Sequence, residues 1–308
     1  MNERASVPEL AAPFAEAIAR AVEISPNRLR LVLHAGTPKT GTKALQEALY
    51  ANVDALARLG VWYPPANVHP EMKKHQFLIG PLLAGAGLEF AQALDEIVRS
   101  APPQAHTVVL STEGLFNHWW DFAPQSKAML RQLASLADVE VWMCFRDPVA
   151  FAISQYAQLL RNPRCFSPAY GLDIGLEEIL ANDWFVRRLD YRGFIDEVGE
   201  LIGAGSVRSF RYGPDIVERI FRALGAGTLE ISENRINPSL RQPGVELMRI
   251  VNRYDLPAQE KYAATALVQA LDDAIGERAE PFRASPEAAR RIDEIAGRQW
   301  RAMETTLE

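Results

Sequence analysis

The stretch Leu31-Val-Leu-His-Ala-Gly-Thr-Pro-Lys-Thr-Gly-Thr-Lys-Ala-Leu-Gln46 constrains the fold of this chain more than any other. An apolar run ends in a turn rich in Gly, Pro, Lys and Thr, and a helical pattern begins at once. Gly36 and Gly41 allow backbone conformations closed to other residues and a close approach to a ligand. The helix that follows offers unpaired N–H groups and the positive end of its dipole. Strand, turn and helix in this order build a seat for an anion at the edge of a sheet.

The spacing of Gly36 and Gly41 fits the phosphate loop GxxxxGK[ST], but Thr42 stands where that pattern needs Lys. A second strand-to-helix junction runs from Val139 to Tyr156. There Asp147 suits the N-cap and Pro148 the first helical position, so Arg146 ends a strand and Ser154 lies about two turns into a helix. An Arg fork and a hydroxyl at these positions suit a second phosphate.

Thr37-Pro-Lys-Thr-Gly-Thr42 together with Arg146-Asp-Pro and Ser154 resembles the sulfotransferases that use PAPS (3′-phosphoadenosine 5′-phosphosulfate), in their bacterial and cytosolic branch. The resemblance spans residues 29 to 245 and implies a P-loop NTPase-like α/β three-layer sandwich on a central parallel β-sheet, with a helical C-terminal part. It implies one domain over 1–308, with a helical extension at 1–28 and a helical region at 246–308. Pro38, Lys39, Thr40, Gly41, Thr42 and Lys43 would hold the 5′-phosphosulfate, Arg146 and Ser154 the 3′-phosphate, and Tyr212 the adenine. Lys39 would also stabilise the leaving phosphate of the product, PAP. Two residues are candidates for the base, Glu113 at a strand end and His75, with Glu113 preferred and His75 contacting the acceptor. The reaction implied is sulfuryl transfer to a hydroxyl or amine, of a carbohydrate or glycolipid in the first place, with no metal.

The chain departs from that pattern at two places. Ala44 replaces a Trp that packs near adenine, and the Arg-Lys-Gly loop near the 3′-phosphate is absent, leaving Arg235 or Arg241 to substitute. Residues 233–239 resemble a bacterial Asn-x-Ser element. Phe116, Trp119, Trp120, Tyr170 and Trp184 are candidates to line an acceptor cleft, and Lys73, Lys74 and His118 to meet an anionic acceptor. Two other classes stay open: a P-loop kinase or NTPase using Mg-ATP, and a non-catalytic nucleotide-binding protein.

Composition sets the outer limits. A formal charge of −6 over 308 residues argues against bulk nucleic-acid binding. Cys144 and Cys165 have no metal-ligand spacing. The acidic start with Glu3, Glu9 and Glu16 and the lack of an 18-residue apolar run lead to the expectation of a soluble, cytoplasmic protein without membrane insertion. Hydrophobic periodicity predicts a helix over 8–23, strands at 29–34, 61–63, 106–112, 139–145 and 207–212, a helix from Gly41 to Gly60, another over 214–224, and mostly helix after 245.

Overall fold

The structure is a computed structural model that describes residues 29–65, 73–167, 169–231 and 240–308. The helix expected over 8–23 and the element at 233–239, Arg235 included, lie outside the described residues. In chain order come β1 (Arg30–His34), α1 (Thr42–Ala51), α2 (Val53–Arg58), β2 (Val61–Trp62), α3 (Ile79–Ala84), α4 (Gly87–Ser100), β3 (Thr107–Ser111), α5 (Gly114–Asn117), α6 (Pro124–Leu136) and β4 (Asp138–Phe145). They are followed by α7 (Pro148–Arg161), α8 (Leu176–Ile179), α9 (Asp183–Arg187), α10 (Tyr191–Ile202), β5 (Val207–Arg211), α11 (Ile216–Ala223), α12 (Gln242–Val251), α13 (Ala258–Ile275), α14 (Pro286–Ile292) and α15 (Arg298–Met303).

These elements fall into two compact units. Among the described residues, the first holds those of 29–145, 192–231 and 307–308; the second holds those of 146–191 and 240–306. The chain crosses between them directly after β4, so the helical C-terminal part shares its unit with α7, α8 and α9.

The first unit contains a five-stranded, wholly parallel sheet in the order β2-β3-β1-β4-β5. β3 is buried at every position and β1 at all but its first, as parallel strands covered on both faces must be. Alternation along the strands sorts the two faces. Val32, Val109, Trp142, Cys144 and Phe210 pack against Leu45 and Leu49 of α1 and Ile220 and Phe221 of α11. Leu33, Ala35 and Val141 instead meet Leu115, Trp119, Leu130, Phe194 and Val198 around a small apolar cavity.

The single helix expected from Gly41 to Gly60 is broken at Asn52. The Asn52 side chain and its own N–H both donate to Ala48 O, at 3.0 and 3.1 Å, where α1 ends at Ala51. Leu56 nonetheless keeps the buried face.

Strand order also selects one sheet end. The chain leaves β1 past β3 toward β2, whereas it leaves β3 and β4 in the opposite direction. The carboxyl end of β1 therefore lies at a switch point, where loops diverge and open a crevice.

The second unit is helical. α7 opens as expected, with Asp147 Oδ1 accepting the Ala150 N–H at 2.9 Å and Pro148 in the first turn. Its last carbonyls are also satisfied: Leu160 O accepts from Lys261 Nζ (2.8 Å) and Asn252 Nδ2 (3.1 Å), and Arg161 O accepts from Thr265 Oγ1 (3.3 Å). Among the described residues no helix is long and apolar enough to cross a membrane.

Candidate functional site

The loop that leaves β1 takes a backbone path that its sequence makes affordable at only a few positions. Gly36 (φ 33°), Lys39 (φ 66°) and Gly41 (φ 81°) all have positive φ, and for Lys39 that conformation costs on the order of 1–2 kcal/mol. At Gly36 the absence of a side chain is itself required. A Cβ there would stand 2.7 Å from Thr42 Oγ1 and 2.9 Å from His34 Cε1. Gly41 at the N-cap brings no side chain to the start of α1. Residues alternating into the left-handed region curl successive N–H groups toward one point, the geometry of a backbone anion nest.

The side chains of the loop divide into two kinds. Thr37 donates to Cys144 O, and Thr40 Oγ1 donates to Thr37 O at 2.6 Å, so both hydroxyls stitch the loop to itself and to β4. Thr40 was expected to share an anion through its side chain; only its backbone amide remains for that. Lys43 is likewise redirected, being exposed with Nζ 3.8 Å from Glu47 Oε1 one turn on. Thr42 is different. Its hydroxyl is buried and has no hydrogen-bond partner among the described residues. Pro38 is buried and Lys39 partly exposed.

Below the loop lies a polar cluster that sequence reasoning missed. His34 Nδ1 and Ser111 Oγ are 2.8 Å apart, Gln46 Nε2 donates to the same oxygen at 3.1 Å, and His34 Nε2 is 3.9 Å from Cys144 Sγ. Burial pushes the His34 pKa down to about 4, so its ring is neutral. The period-2 alternation that puts Val32 inward also puts His34 inward, and that was the available signal.

The two base candidates lie at the carboxyl end of β3 and differ in their surroundings. His75 is wholly buried: its Nδ1 accepts the Ser111 N–H at 3.1 Å, and its Nε2 is 3.1 Å from Pro64 O, to which it donates. With both nitrogens held by backbone and its pKa pushed by burial down to about 4, His75 has none to offer an acceptor. Its expected contact with acceptor gives way to a clamp. Glu113, two residues past β3, is partly exposed, and desolvation raises its pKa while the charges of Lys74 and Lys39 pull it back. A carboxyl so placed holds a proton more readily than an ordinary glutamate, as a general base requires.

Tyr212 follows β5, and its N–H donates to Phe145 O at 2.7 Å. A Cβ on Gly41 would lie 3.6 Å from Tyr212 Cε2, so the ring borders the loop. The aromatic residues proposed for an acceptor cleft are otherwise engaged. Phe116 and Trp119 are core, and the indole N–H groups of Trp119 and Trp120 both donate to Glu197, at 2.9 and 3.2 Å.

In the second unit, Arg146 is partly exposed at the head of α7, and its carbonyl accepts from Tyr191 Oη at 3.1 Å. Ser154 is buried and its hydroxyl, like that of Thr42, has no partner among the described residues. Arg241 is committed within the unit: its N–H and guanidinium both engage Asp272, the latter at 3.6 Å. Tyr170 and Trp184 belong to this unit too, and Arg188 stacks on the Trp184 ring.

Among the described residues no group of three or more His, Cys, Asp or Glu is arranged to hold a metal ion. Compared with family models, curated proteins and solved structures, the chain matches none.

Proposed function

We propose that the chain is a PAPS-dependent sulfotransferase built on a P-loop-like sandwich, acting on a hydroxyl or amine acceptor. The observation that carries this reading is a pair of orphaned hydroxyls. Among the described residues, the buried hydroxyls without a partner are Thr42 Oγ1 and Ser154 Oγ, one in each of the two motifs that resemble the PAPS-binding elements. A buried polar group left unsatisfied costs about 1–3 kcal/mol, a penalty that a bound anion would remove. The cradle at Gly36, too tight for any side chain, supports the same fit.

PAPS supplies an activated sulfuryl group and leaves as PAP. On this reading the amides of residues 39–43 and the Thr42 hydroxyl hold the 5′-phosphate, and Tyr212 borders the adenine. Within the second unit, Arg146 and Ser154 are assigned to the 3′-phosphate by the same resemblance. Glu113 accepts the proton that the acceptor gives up, and desolvation of its carboxyl raises its affinity for that proton. Lys39 puts a fixed cation where negative charge collects on the departing phosphate.

Calorimetric titration with PAP and, in parallel, with Mg-ATP tests the reading. Tight binding of PAP with little response to Mg-ATP is expected. A preference for Mg-ATP overturns it in favour of a nucleoside triphosphate site, and PAP binding without turnover on any acceptor would leave a non-catalytic nucleotide-binding protein.

A further inference from the structure

Helix α13 in the second unit is turned inside out. Its inward side is polar: Lys261 Nζ donates to Leu160 O at 2.8 Å, Thr265 Oγ1 to Arg161 O at 3.3 Å, and the buried Asp272 carboxylate accepts the Arg241 N–H at 3.1 Å. Of its three buried residues only Val268 is apolar. The outward side carries what a helix ordinarily buries. Tyr262, Leu267 and Leu271 are 54%, 63% and 47% exposed, with Ala263, Ala270 and Ala274 at the surface among them. At 3.6 residues per turn, Ala263, Leu267, Ala270, Leu271 and Ala274 fall within about 100° of arc, one continuous stripe. Ile250 in α12, which packs on α13, and Tyr254 just after it are exposed as well. A concentration of exposed apolar side chains such as this marks a contact surface.

The charges at the two ends of the stripe say what covers it. Glu260, exposed, stands in the first turn of α13. At the other end the exposed Arg278 donates from Nε to Ile275 O at 3.1 Å and from Nη2 to Ala274 O at 2.7 Å, which fixes its guanidinium at the last turn. The surface is therefore acidic at one end, basic at the other and apolar between, and so complementary to itself when reversed. A two-fold axis at Gln269 sets each Glu260 against the other copy's Arg278, Leu267 against Leu271 and Ala264 against Ala274. The two helix dipoles then also run opposed, whereas a parallel pair would set like charges together. We propose that α13 is the two-fold contact of a homodimer, covered by a second copy of this chain in antiparallel register. The inference is independent of the reaction proposed above. At 1.5 Å per residue the 18-residue helix offers a contact about 27 Å long, which belongs to the small, micromolar class of interfaces.

Sedimentation velocity of the full chain over about 1–100 μM is the test, and wild type should pass from monomer to dimer in that range. Leu271→Glu, a change at an exposed position that should leave the circular dichroism spectrum unaltered, should stay monomeric. Glu260→Arg and Arg278→Glu should each weaken the dimer by about tenfold. An equimolar mixture of those two variants should recover wild-type affinity, because both end pairs are then opposite in sign. A wild type that is monomeric throughout overturns the proposal; if that monomer co-sediments with phosphatidylglycerol vesicles and Leu271→Glu does not, the surface belongs to a lipid. A dimer that survives Leu271→Glu is built elsewhere and overturns it too. A mixture no tighter than its two components overturns the antiparallel register.

Discussion

His75 and Glu113 stand at the same strand end, and each has the side-chain chemistry of a general base, yet the fold treats them in opposite ways. His75 has every polar atom paired with backbone and sits out of reach of solvent. Glu113 is partly exposed, and the charges of Lys74 and Lys39 oppose the effect of desolvation on its carboxyl. The same contrast recurs in the threonines of the loop, where Thr37 and Thr40 are bonded and Thr42 has no partner among the described residues. A polar group completed by its own chain belongs to the architecture, and one left incomplete under burial has bonding capacity that a ligand can use.

Acid gives the broadest way to break this comparison. His34 and His75 titrate at about 4 in the fold against an ordinary 6.5, so the unfolded chain binds their protons more readily. Their contribution to stability is complete above pH 6.5 and is lost as pH falls through about 4. At about 1.4 kcal/mol per pH unit it amounts to about 3 kcal/mol for each ring. Glu113 has the opposite sign, its raised pKa favouring the fold at low pH and losing that contribution as pH rises through the shifted value. Denaturant midpoints between pH 7 and 4 should fall steeply, and a flat profile would mean that the two histidines are not the neutral struts described.

Substitution at the strand end separates the two residues. Glu113→Gln should lower kcat by about 100- to 10,000-fold with the melting temperature kept or raised, since a desolvated carboxyl has been replaced by a neutral amide. His75→Ala should do the reverse. It leaves the Ser111 N–H and Pro64 O without partners in a buried space, and unfolding free energy should drop by about 2–4 kcal/mol while activity per folded molecule survives. If His75→Ala instead abolishes turnover in a folded protein, the ring is the base and the assignment is reversed.

Much of the fold was legible in local patterns, and the site only in part. Strands β1, β3, β4 and β5 stood out because apolar, β-branched runs bounded by turns leave little choice, and the Asp147-Pro148 helix start is a local signal satisfied locally. Asn52 breaking α1 was missed because a side chain that caps the turn before it looks, in sequence, like any exposed polar position. The loop was visible from Gly36 and Gly41, yet which of its threonines would be free was not, since Thr37 finds its acceptor on Cys144, more than a hundred residues away. His75 was misjudged for a similar reason. Its partners at Ser111 and Pro64 become neighbours only once β3 is in the sheet, and composition near residue 75 says nothing of them.

The finest cut falls within the loop, between Thr42 and Thr40, two threonines separated by one residue. Replacing Thr42 by Val keeps the shape and removes a hydroxyl that has no partner among the described residues, so the free protein should be as stable as wild type or slightly more so. PAP should bind roughly tenfold more weakly, about 1.4 kcal/mol, because a contact to the anion is gone. Thr40→Val removes a hydroxyl that holds Thr37 O at 2.6 Å, and should cost about 1–3 kcal/mol of stability, with any loss of PAP affinity following from a loosened loop. Paired melting curves and PAP titrations on the two variants read both quantities. Should Thr42→Val destabilise the free protein while leaving PAP affinity unchanged, the orphaned hydroxyl is part of the architecture after all, and the anion seat rests on backbone amides and Lys39 alone.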